Sequence, residues 1–175
     1  MRSDIVTGAV FPDYELSDHT GKRRKLSELQ QHDPMIVVLS RGAYCPKDRR
    51  QHEGLVQLHR ELEVGYCRLV TISTGNLIET NEFRTGVGAH WPFLSDAKRI
   101  VQEDLDIIEY TDAQHNPMIP HTVVLEPGLV IHKIYMTSTA RADHSPGMPM
   151  VGNTSARLNH SSNCRISGVP RNSQV

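Results

Sequence analysis

Apolar residues come in short runs separated by longer amphipathic stretches over most of the chain. Residues 35–39 are uncharged and mostly β-branched or bulky, bounded by Asp33-Pro34 and Arg41-Gly42, and read as a buried strand. From Pro46 to about Val64 the period lengthens: Leu55, Leu58 and Leu62 recur on one face, with Arg49, Arg50, Glu53, Arg60 and Glu61 elsewhere. That spacing predicts a helix with Pro46 at its first position, where a missing N–H costs nothing, and Gly65 as its C-cap. Residues 67–73 form a second predicted strand, and a helix follows from about Leu77 to Thr85, ended by Gly86 and Gly88. Residues 92–94 predict a short strand, with Asp96 as N-cap of a helix bearing Ile100, Val101 and Leu105. Residues 111–118 are polar and read as loop. Residues 122–125 and 129–135 predict two strands joined by the turn Glu126-Pro127-Gly128. At the other end, residues 9–29 alternate around Asp18-His19-Thr20-Gly21, which predicts a β-hairpin and then a helical turn capped by the Ser27 hydroxyl. Early strand–helix alternation and a late hairpin predict an α/β fold with a mixed sheet.

Composition narrows this further. A chain of 175 residues, 38% hydrophobic and 22% charged with a formal net charge of -1, suits one globular domain with a proper core. No strongly basic face is implied, so nucleic acid is not an expected partner. The basic run Lys22-Arg23-Arg24-Lys25 falls in the predicted hairpin and reads as a solvated edge. No run approaches the ~18 apolar residues of a membrane span, and residues 1–11 lack the apolar stretch of a signal peptide. From 137 to 175 there is no aromatic residue, and Ser, Asn, Pro, Gly and Arg are scattered without period. This divides the chain into a domain over 1–136 and a disordered or loosely packed tail over 137–175. Three widely spaced cysteines suggest no disulfide framework, and the cytoplasm is the expected location.

The chemistry-bearing residue is Cys45. It falls between a buried strand and Pro46, hence at the N-terminus of the main predicted helix, where unpaired N–H groups and the helix dipole favour the nucleophilic thiolate. Arg41, Lys47, Arg49 and Arg50 add positive charge nearby. Most free cysteines are small buried hydrophobes, and Cys67, at the opening of a strand, reads as one. The ten histidines show no Cys/His ligand spacing, and neither a metal nor a cofactor is expected.

Ser40-Arg41-Gly42-Ala43-Tyr44-Cys45-Pro46 resembles the active-site segment of peroxiredoxin-like proteins of the alkyl hydroperoxide reductase/thiol-specific antioxidant family, within the thioredoxin-like superfamily. Three further segments resemble the family in order: residues 10–21, with Val10-Phe11-Pro12-Asp13-Tyr14-Glu15-Leu16; Trp91-Pro92-Phe93-Leu94-Ser95-Asp96; and Ile119-Pro120-His121-Thr122-Val123-Val124-Leu125. The resemblance implies a thioredoxin-like fold, a mixed central sheet flanked by helices with an N-terminal β-hairpin. It also implies that Cys45 is the peroxidatic residue, acting on a peroxide, with an external thiol as reductant; a homodimer is compatible with it. Tyr44, Pro46, Asp48 and Pro120 are the implied cleft residues, Pro120 standing where thioredoxin-like folds carry a cis-proline.

Two positions depart from the family pattern. Gly42 stands where a threonine is usual, three residues before the cysteine, and Pro120 where an arginine usually orients the peroxide. Arg41 and Arg49 are the candidate substitutes. Asp48 occupies the place of the second cysteine in dithiol relatives, so no local disulfide closes; it reads as an acid in a first helical turn. Cys164, in the tail, is long enough tethered to reach Cys45 but reads as a chance cysteine. Three functions fit: a thiol peroxidase with weakened activity, a one-cysteine thiol transferase, and a binding or scaffold protein that has lost catalysis.

Overall fold

The structure, a computed structural model, describes residues 1–136. The predicted tail and Cys164 lie outside the described residues. Seven strands form one mixed sheet in the order β2-β1-β5-β4-β3-β6-β7. In chain order these are β1 (Glu15–Asp18), β2 (Arg23–Lys25), β3 (Met35–Ser40), β4 (Arg68–Ser73), β5 (Phe93–Ser95), β6 (His121–Glu126) and β7 (Val130–Met136). The central strands β3, β4 and β5 run parallel, while β6 is antiparallel to β3 and β7 to β6. Four helices accompany them: α1 (Leu26–Gln30), α2 (Pro46–Val64), α3 (Leu77–Gly86) and α4 (Ile100–Asp104).

Alternation along the strands sends side chains to two separate cores. Met35, Val37 and Leu39 of β3 join Val70, Ile72, Val123 and Leu125 under α4 and the N-terminal segment, with Phe11, Leu105, Ile107 and Met118. Ile36 and Val38 face the other way, toward Leu69, Phe83, Trp91 and Phe93, beneath α2 and α3. Only part of α2's predicted apolar face is used. Leu55, Val56 and Leu62 pack on the second core, but Leu58 is 37% exposed, and the fully buried residues of this helix are Asp48 and His52.

Of three predicted caps, Ser27 is replaced, Asp96 acts from another position and Gly65 is kept. The first short helix begins at Leu26, and Ser27 donates both its N–H and its hydroxyl to the Asp13 carboxylate, at 2.9 and 2.7 Å. A charged acceptor across the hairpin thus takes the groups that a serine cap would have used. Asp96 does cap α4, but from outside the N-cap position, which Arg99 holds with a φ of 62°. Its buried carboxylate accepts the N–H groups of Val101 and Gln102 at 3.2 and 3.1 Å. Gly65 is the C-cap of α2 with an ordinary φ of −81°, and the left-handed residue is Tyr66.

Candidate active site

The loop from β3 to α2 is held from below by one carboxylate. Asp48, in the first turn of α2 and 3% exposed, accepts the Ser40 hydroxyl at 2.8 Å and the Arg41 N–H at 2.5 Å through Oδ2. The Ser40 oxygen in turn accepts the Gly42 N–H at 3.1 Å, and the Gly42 carbonyl accepts the Cys45 N–H at 3.3 Å. Asp48 therefore does more than complement a helix dipole. It closes the loop onto the helix so that Cys45 falls at the N-cap, extended, with its carbonyl accepting the Arg49 N–H at 3.1 Å. Cys45 is 6% exposed; Pro46 follows it on the surface. Gly42 has a φ of 109°, which side-chain-bearing residues seldom adopt, though open space surrounds its missing Cβ. Backbone conformation, not crowding, disfavours the threonine of the family pattern here.

One turn further along α2 lies His52, fully buried. Its Nδ1 is 2.7 Å from the Asp48 carbonyl and its Nε2 3.1 Å from Thr71 Oγ1 on β4. Thr71 Oγ1 also accepts the Trp91 indole N–H at 3.0 Å. The donors assign the tautomer: Nδ1–H donates to the carbonyl, and Nε2 accepts from the threonine hydroxyl. The ring is packed among Phe83, Phe93 and Trp91, with centroids at 4.8, 5.4 and 6.4 Å. Burial among aromatic rings lowers its pKa and keeps it neutral, the Asp48 carbonyl opposing this only in part.

Above the loop opens a cavity of about 430 Å³ lined by Arg41, Gly42, Tyr44, Thr74, Arg99 and His115 among others. Tyr44 is 41% exposed and stacks on His115 with centroids 3.9 Å apart and planes 10° from parallel. Burial holds its phenol protonated, the negative charge of Asp112 adding to this and Arg41 opposing it. Arg41 pairs with Glu109 at 2.5 Å, both side chains 15% exposed. Arg99 anchors the opposite wall. Its guanidinium donates to the carbonyls of Thr74, Asp96, His115 and Asn116, drawing the 111–118 segment against the end of β4.

The predicted site residues thus part company. Arg41, Tyr44, Cys45, Pro46 and Asp48 belong to one loop and helix start. Arg49 reaches instead to the Gly86 carbonyl at the end of α3, at 3.4 Å. Pro120 is buried ahead of β6, but the described chain contains no cis peptide bond, so the expectation of a cis-proline is overturned. Ile119 N–H bonds the Ile107 carbonyl at 2.7 Å, and the peptide that follows keeps the default trans form. Cys67 precedes the first residue of β4, whereas Cys45 follows the last of β3, and the two strands pair in parallel from Met35–Arg68 to Ser40–Ser73. Six residues of paired strand, roughly 20 Å of rise, separate the end of the sheet next to Cys67 from the end where the Cys45 loop leaves. In the sequence His52 stands out only with His59, about two helical turns away and too far for one metal, and Glu109 not at all. His52 had a signal, its i+4 spacing from Asp48 on the face that also carries Leu55, Val56 and Leu62; Glu109 is distant in sequence and had none.

A thiol at the N-cap of a long helix after the central strand of a mixed sheet, with an N-terminal hairpin on the sheet's edge, defines a peroxiredoxin-type thioredoxin-like fold. The model of the AhpC/TSA family matches residues 7–134, and the chain belongs to that family. Among solved structures it is similar to peroxidoxin BcpB from Mycobacterium tuberculosis, at 23% identity and a TM-score of 0.67 over 74% of this chain and 84% of that one. Peroxiredoxin Q of Xanthomonas campestris, as a cysteine-to-serine mutant, superposes with a TM-score of 0.65 at 16% identity over 75% and 89% of the two chains. Peroxiredoxin 6 of Arenicola marina gives 0.66 at 15% identity, over 75% of this chain and 64% of that one. No curated protein shows significant sequence similarity. No helix among the described residues is long and apolar enough to cross a membrane.

Proposed function

We propose that this protein, through its domain over residues 1–136, is a thiol peroxidase with Cys45 as its single peroxidatic cysteine. The observation that carries the reading is the placement of the Cys45 thiol at the N-cap of α2, beneath a loop clamped by Asp48. The N–H groups at such a terminus favour negative charge on sulfur. The thiolate attacks one oxygen of a peroxide; the S–O bond forms as the O–O bond breaks. Cys45 is oxidised by two electrons to a sulfenic acid, and the alkoxide or hydroxide that leaves takes up a proton. An external thiol then displaces water from the sulfenic sulfur, giving a mixed disulfide, and a second thiol releases Cys45 with its proton restored. The distance to Cys67 supports an external reductant.

The reading includes weakened turnover. With Gly42 and Pro120 at the usual threonine and arginine places, the remaining cation of the loop is Arg41, and its charge is shared with Glu109. Removal of one oxyanion-type donor costs on the order of 10²–10³ in rate. That same pairing favours the second reading, a thiol transferase that handles mixed disulfides and has little use for a peroxide-holding cation. Mass spectrometry after limiting hydrogen peroxide, with a sulfenic-acid trap, separates the two. Trapped adduct on Cys45, absent from Cys45→Ser, is the expected result; equal labelling of the Cys45→Ser protein and its parent would refute the assignment.

A further inference from the structure

The second core of the domain contains a polar thread whose inner part, Trp91, Thr71 and His52, the peroxidase chemistry above leaves unused. It runs from the Trp91 indole through Thr71 Oγ1 to the His52 ring, and from His52 Nδ1 to the Asp48 carbonyl. From Asp48 it continues through the carboxylate to Ser40 and Arg41, and from Ser40 through Gly42 to the Cys45 N–H. Every link is 3.3 Å or shorter. A fully buried imidazole would be replaced at little loss by an apolar ring if its role were only to fill space, since burying polar groups is costly unless each is bonded. Here both nitrogens are bonded. The acceptor on the α2 side is the backbone of the residue whose carboxylate organises the thiol loop.

We propose that His52 is a positioning residue for Cys45: by donating Nδ1–H to the Asp48 carbonyl it sets the first turn of α2, and hence the height of the Asp48 carboxylate under the Ser40–Cys45 loop. The proposal rests on the reading of Cys45 as the reactive thiol. Thr71 and Trp91 close the far end of the thread, on β4 and in the aromatic core. Displacing a first turn moves the thiol relative to the groups that receive a reactant, and misplacements of about an ångström are worth up to about a hundredfold in rate.

Side-chain geometry supplies a discriminating test. In His52→Asn the amide NH₂ occupies the place of Nδ1–H and retains the donor to Asp48. In His52→Gln the amide reaches the place of Nε2, retains Thr71 and loses Asp48. Thr71→Val disturbs the same buried cluster without touching Asp48. The rates of Cys45 with iodoacetamide and with hydrogen peroxide are measured for each on the full chain, beside the urea midpoint. The expected result is that all three lose stability, that His52→Gln slows both reactions by about tenfold or more, and that His52→Asn and Thr71→Val stay within about threefold of the parent. Equal slowing of the Asn and Gln variants, or rates that follow the urea midpoint across the set, would overturn the proposal. If His52→Gln does not fold, His52→Ser, which loses both contacts, takes its place against His52→Asn under the same criterion. A parent whose Cys45 is alkylated but not oxidised would sink the peroxidase reading instead, while the alkylation rates still decide the role of His52.

Discussion

The two faces of the sheet are built on different principles. On the face covered by α4 and the N-terminal segment, Val37, Leu39, Val70, Ile72, Val123 and Leu125 meet Phe11, Leu105 and Ile107 in an apolar core. On the face covered by α2 and α3, the residues α2 buries most deeply are an aspartate and a histidine, and β4 contributes Thr71. The first face makes the domain stable through burial, which is non-directional and tolerant of detail. The second sets, among Leu69, Phe83, Trp91 and Phe93, a thread of hydrogen bonds of definite length and direction that ends at the Cys45 loop. Directional bonds are what hold a reactive group in place. The comparison thus assigns stability chiefly to one side and positioning chiefly to the other.

Substitutions on the two faces should separate these roles. Leu125→Ala, on the apolar face, should cost about 2–5 kcal/mol in urea denaturation through lost contacts and a cavity. The folded fraction should still alkylate Cys45 at the parental rate. Asp48→Asn should cost less stability, about 1.5–3 kcal/mol for hydrogen bonds to a charged group, yet slow Cys45 markedly. A Leu125→Ala protein with a slowed thiol, or an Asp48→Asn protein with an unaltered one, would erase the distinction.

A smaller effect is expected from pH. Burial holds both His52 on one face and His121 on the other below the ordinary histidine pKa, so both are neutral in the fold. Below about pH 6.5 the unfolded chain binds protons that the native chain does not, so stability must fall as pH falls. Each histidine contributes a slope of up to about 1.4 kcal/mol per pH unit, ending where the native ring itself takes up its proton. Stability curves measured from pH 7.5 to 5.5 should flatten by one histidine's share in His52→Asn. An unchanged slope would mean that His52 is already charged in the fold.

Much of this domain was legible in the sequence because its cues are local. Residues 35–39 had no reading other than a core strand, and the Cys45-Pro46 pair located a helix start that the structure places at Pro46. The proposed nucleophile, Cys45, was legible for the same reason. What supports it was not. The leucine spacing on α2 drew attention to Leu58, which is exposed, and away from His52, because a buried histidine has no periodic signature of its own. Arg49 seemed as well placed as Arg41, and only the direction of the helix surface sends it toward Gly86. The Arg41–Glu109 pair joins residues that pattern reading has no means to connect. Pro120 shows a subtler failure: the resemblance correctly found the start of β6 but implied a peptide geometry that the chain does not adopt.

The central proposal is that Cys45 is a reactive thiol whose peroxide-holding partners are weakened. The most direct test is stopped-flow oxidation of Cys45 by hydrogen peroxide, set beside its alkylation by iodoacetamide at the same pH in a Cys67→Ser, Cys164→Ser background. Fast alkylation with slow oxidation is the predicted result, the shortfall being on the order of 10²–10³ for one missing donor. Oxidation far faster than the alkylation rate explains would contradict it, and would mean that Arg41 is released from Glu109 to hold the peroxide.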